Sequence, residues 1–73
     1  MSAQKKDLNL QLSHINSQLG MIRMRYEMIK DHVAPDARSK NETYLAIDEA
    51  NALIGEAAQL RVDLENLRHM LDT

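Results

Sequence analysis

The sequence predicts an all-α fold: two long antiparallel helices joined by a short turn into a coiled-coil helical hairpin. Three observations predict it. Leu8, Leu12, Ile15, Leu19, Ile22, Tyr26, Ile29 and Val33 recur at alternating spacings of four and three. That is the heptad rhythm of a helix with one apolar seam, not the period of two that a strand needs. A second run, Thr43, Ala46, Ala50, Leu53, Ala57, Leu60, Leu64, Leu67 and Leu71, keeps to the same threes and fours. Between the runs lies one breaker, which holds the only proline, Pro35.

The first helix follows a polar start, where Ser2 offers a cap oxygen. It is placed at about residues 3–33 and is roughly 45 Å long. Gly20 inside it costs about 1 kcal/mol relative to alanine. Pro35 disfavours helical geometry at Ala34, so the turn is placed at about 34–38, with Pro35, Asp36 and Ser39 as its defining residues. Ser39 and Glu42 fit a capping box, and Asp36 is an alternative cap one turn earlier. The second helix then covers about 39–71.

A short turn forces the helices antiparallel, so residues whose numbers total about 73 should face each other. The expected seam joins Leu12, Ile15, Leu19, Ile22, Tyr26 and Ile29 to Leu53, Leu60, Leu64 and Leu67. The alanine-rich start of the second helix faces Tyr26 and Ile29, large against small, as a thin core requires. Apolar residues remain outside this seam. Met21, Met24 and Met28 fall on the outer side of the first helix, and Ile47 and Ile54 form a stripe beside the seam of the second. Both groups lie in the turn half. A grouped apolar patch marks an interface, here for a second copy or a protein partner; core widening is the alternative.

Composition narrows the function. The chain has 73 residues, enough for one small domain with a thin core. It lacks cysteine, tryptophan and phenylalanine, so it has no disulfide framework, no thiolate metal site and little with which to stack bases. A net charge of −2 gives no general pull toward nucleic acid or membrane. No apolar stretch is long enough to span a bilayer, and the N-terminus lacks a signal-peptide core, so a cytoplasmic protein without membrane contact is expected. His14, His32 and His69 do not converge in the expected hairpin. The carboxylates are read as solvated, and no Gly-rich phosphate loop exists. No cofactor, metal or catalytic residue is expected. Arg23 and Arg25, with Lys30, Arg38 and Lys40 nearby, give the turn half a modest basic side, fit for weak, salt-sensitive RNA contact at best.

The order of these features resembles the N-terminal coiled-coil hairpin of hantavirus nucleoproteins. The likeness extends over the whole chain. It rests on Gln18-Leu19 followed by Arg23 and Arg25, on Pro35-Asp36 with Lys40 after it, and on the stretch from Gln59 through Leu60, Arg61, Val62, Asp63, Leu64, Glu65 and Asn66 to Leu67. The Met21/Met24/Met28 group and the alanine-rich second helix are less polar than that family's pattern. The resemblance implies a module that helps an RNA-coating protein self-associate, as dimer or trimer, within a viral nucleocapsid. It maps a basic surface to Arg23 and Arg25 and a turn network to Asp36.

The expected function is therefore a non-enzymatic oligomerisation and protein-interaction module. One rival is a small bacterial or phage hairpin acting as adaptor, co-chaperone or inhibitor through its second apolar stripe. Another is a nucleotide-binding hairpin, for which only Tyr26, Tyr44, Arg23 and Arg38 are available. Ile22 sits mid-seam, so Ile22→Asp would bury an unpaired charge at a cost of several kcal/mol. Loss of far-UV helicity is the expected result; an unchanged melting curve would reject the seam.

Overall fold

The computed structural model describes residues 4–35 and 40–72. It contains two helices, α1 (Lys5–His32) and α2 (Lys40–Asp72), packed antiparallel into a rod of 57 × 15 × 12 Å. No strand occurs among the described residues.

Helix α1 opens at Gln4, which takes the extended cap geometry (φ −73°, ψ 153°) and makes no side-chain cap bond. The Leu8 amide donates to its carbonyl at 3.1 Å. Ser2, the expected cap, lies outside the described residues. At the other end Val33 leaves helical geometry (φ −105°, ψ 11°), and its amide donates to Ile29 O at 3.1 Å. Pro35 accounts for the stop, because its ring crowds a helical Ala34. Lys30 and His32 in the last turn complement the helix dipole. Asp36 and Ser39 lie outside the described residues. Glu42, in the first turn of α2, accepts a hydrogen bond from His32 Nδ1 at 2.5 Å, which ties the two helix ends together.

The rows that meet between the helices differ from the expected seam. Leu8, Ile15, Ile22 and Ile29 of α1 face Ala46, Leu53, Leu60 and Leu67 of α2; Ile15 (6% exposed) and Ala46 are buried and the others half-buried. These are the a positions of each heptad. The d positions beside them are polar except at Met70: Gln11, Gln18, Arg25 and His32 on α1, and Glu42, Glu49, Glu56 and Asp63 on α2. Asp63 is only 7% exposed. Leu12, Leu19 and Tyr26 (each 49% exposed) and Leu64 (46%) occupy e positions and flank the seam instead of filling it. Relative to expectation, both helices are rotated by about 50°, half the angle between successive residues. The rotation lets complementary polar rows meet across the interface.

The register also differs. Arg25 reaches both Glu49 and Glu56, and Tyr26 stands beside Leu53 rather than Ala46 and Ile47.

Gly20 and Gly55 sit on outer helix surfaces, and a Cβ added to either meets nothing within 4 Å. Gly20→Ala and Gly55→Ala should each stabilise the hairpin by about 1 kcal/mol, read as a rise in thermal midpoint. A fall would show that another chain packs there.

Candidate functional site

The polar row comes first, because it decides which surfaces stay free. Asp63 is its centre. Its carboxylate accepts from His14 Nε2 at 3.1 Å, from Gln18 Nε2 and from Gln59 Nε2 at 3.3 Å, and its carbonyl accepts from Gln11 Nε2 at 2.8 Å. A buried carboxylate persists only when its lone pairs are used in this way. One level nearer the turn, Arg25 donates through Nε to Glu56 at 2.7 Å and through Nη1 to Glu49 at 2.8 Å. Hydrogen bonds to Glu56 and then Glu49 raise the Arg25 pKa above its already high ordinary value.

This settles the two arginines of the expected basic patch. Arg25 is consumed by the seam. Arg23 remains on the surface, 3.2 Å from Glu27 and 5.5 Å above the Tyr26 ring. The two side chains do not form one patch. The expectation of solvated side chains fails for Glu49, Asp63 and His32, which bond across the seam from part-buried or buried positions; His14 stays on the surface while reaching Asp63. The signal was present in the sequence: polar residues recur every seven positions on both helices, amide and cation on one against acid on the other.

The e rows define the free face. In an antiparallel pair the e positions of both helices lie on the same flank. Leu8 and Leu12 of α1 accordingly share one groove with Leu67 and Leu71 of α2. A second groove of about 390 Å³ is lined by Leu19, Ile22, Arg23, Tyr26 and Leu53. A third is lined by Ala57, Leu60 and Leu64 with Arg61, Glu65 and Arg68 at its edge. Together they make an apolar face along the rod, with the a rows at its floor and the e rows at its walls. Its rim cations are largely paired within their own helices: Arg23 with Glu27, and Arg61 with Glu65 at 3.0 Å.

The residues expected to form an oligomer or partner patch are exposed but divided. Met21 and Met28 occupy g positions on the opposite flank, with Met24 further round; Ile47 and Ile54 lie on the e flank of α2. They share a level and not a face. The Met21 flank has a groove of its own, lined by His14, Gln18, Met21, Glu56 and Gln59, and the surface it exposes is mainly apolar; Gln18 Oε1 and Glu56 Oε2 are buried beneath it without hydrogen-bond partners.

Among the described residues no three His, Asp, Glu or Cys side chains converge as a metal site would require, and no helix is long and apolar enough to cross a membrane. The grooves of the e flank are open and lined mainly by aliphatic side chains. Comparison with protein-family models, with curated proteins and with solved structures gives no match for this chain.

Arg25→Leu leaves Glu49 and Glu56 facing each other without a cation, so it should lower the thermal midpoint clearly. Arg23→Gln, at an exposed pair, should leave it nearly unchanged. Equal effects of the two substitutions in thermal unfolding would contradict these placements.

Proposed function

We propose that the chain is a non-enzymatic interaction module, a helical hairpin that docks protein through the apolar face formed by its two e rows. The observation that supports this most is the position of Leu12, Leu19, Tyr26 and Leu64, each about half-exposed and all on one flank. Isolated exposed leucines are ordinary; several grouped on one flank of the rod are the kind of surface that marks an interface. Self-association and adaptor-like capture of a different protein both draw on this face.

The narrower reading, a nucleoprotein hairpin within a viral nucleocapsid, rests on the sequence resemblance. Engagement of Arg25 in the seam weakens its RNA-contact component, and leaves Arg23 and Lys30 to it among the described cations of the turn half. Lys30 is itself 3.8 Å from Glu27. Residence in the cytoplasm belongs to the same reading.

The test is site-specific photo-crosslinking in the producing cell. A photoreactive residue at Leu19 or Leu64 should give a discrete protein adduct, whereas one at Ser13 or Asn51, on outer rows, should not. No discrete adduct from either face position, or equal adducts from all four, would sink the proposal.

A further inference from the structure

The hairpin leaves much of its apolar surface uncovered, and the geometry of that surface identifies an occupant. We infer that the apolar face is covered by a second copy of this chain, which makes a four-helix bundle from two hairpins. The inference rests on the interaction reading above and names the partner.

The first argument is the width of the face. A two-stranded coiled coil buries a and d alone. Helices in a four-helix bundle use a broader arc, because each contacts two neighbours. Here each helix commits three rows: polar d toward its hairpin sibling, apolar a in the middle, apolar e beyond. An isolated hairpin gains more from burying a against e, the seam that the apolar pattern alone suggests. Turning d inward makes sense when e is to be buried elsewhere. Such a rotation directs the a rows toward the centre of a bundle and the e rows toward the neighbouring hairpin.

The second argument is size. The hairpin by itself buries only Ile15 and Ala46 among the described apolar residues, and no side chain is fully buried. Chains of this length need more core than that. The rod itself is 57 Å long and 15 Å wide. Two copies meeting over that whole outline would cover at most roughly 1,700 Å², within the range of an ordinary stable protein interface.

The third argument is charge. Arg23 and Lys30 edge the turn half of α1, and Arg61 and Arg68 edge the open half of α2. A two-fold axis along the rod sets each cationic half-edge against a neutral one, Asn9 and Asn16 or Ile47 and Ile54, and so does one across it. Like charges are not brought together, and internal pairing with Glu27 and Glu65 removes the need for an acidic partner.

Sedimentation equilibrium of the full chain, from micromolar to near-millimolar concentration, is the experiment. The expected result is a reversible monomer–dimer equilibrium with helicity retained in the dimer. Leu19→Gln combined with Leu64→Gln should weaken dimerisation by about a hundredfold. Met21→Gln with Met28→Gln should leave it within a few-fold. Should the leucine variant fail to fold, a gentler probe remains, since the chain has no cysteine of its own. Ala57→Cys, on the e row, should react with maleimide at least tenfold more slowly than Ala58→Cys at high concentration and lose that protection on dilution. A wild-type chain that stays monomeric, or forms a trimer, overturns the inference, as does a dimer broken by the methionine changes and not by the leucine changes. In those cases an in-cell adduct from Leu19 or Leu64 to a different protein would leave the interaction reading intact with another occupant.

Discussion

The structure depends on how the Arg25 guanidinium and the Asp63 carboxylate are satisfied. Each is held between the helices, where an unpaired charge is costly. Arg25 needs both Glu49 and Glu56, and Asp63 takes donors from α1 at Gln11, His14 and Gln18. Only one rotation of each helix and one register provide all of these bonds. Apolar rows pack almost equally well after a slip, because one leucine substitutes for another. The polar row does not, and it accordingly supplies most of the specificity while the a rows supply adhesion.

This division explains why the free surface lies where it does. Once the d rows are committed to each other, the e rows can only flank the seam. On one flank they are mainly leucine, tyrosine and alanine; on the other the g rows mix methionine, leucine and alanine with histidine, glutamine and asparagine. The two sides of the hairpin therefore differ in chemistry although the helices are built alike. An interaction module needs such a difference, since a partner must find one face in preference to the other.

Much of the fold is legible in the sequence. The two helices follow from heptad spacing, the stop of α1 from Pro35, and the antiparallel arrangement from the short connection. The a rows also emerge, because Ile15, Ile22, Leu53 and Leu60 belong to any apolar seam that can be drawn. What is not legible by apolar periodicity is the choice between e and d as the second row. Leu19 and Tyr26 look like core residues and Gln18 and Arg25 like surface ones, and a pattern search that scores hydrophobicity alone must choose wrongly. The polar row becomes visible only when the two helices are compared with each other, acid against amide and cation at the same sevenfold interval. Met21 and Ile54 were harder to place for a related reason: sharing a level says nothing about sharing a flank until the rotation is known.

The sevenfold repeat of these rows has a consequence for the length of the molecule. Each seven-residue unit of α1, matched by one of α2, carries its own apolar layer, its own polar contact and its own share of the free face, and lengthens the rod by roughly 10 Å. Added or removed as matched pairs, such units leave the phase of every remaining row untouched. The hairpin is in that sense a ruler with interchangeable segments: its reach can drift while its cross-section, and hence the kind of surface it offers, stays the same.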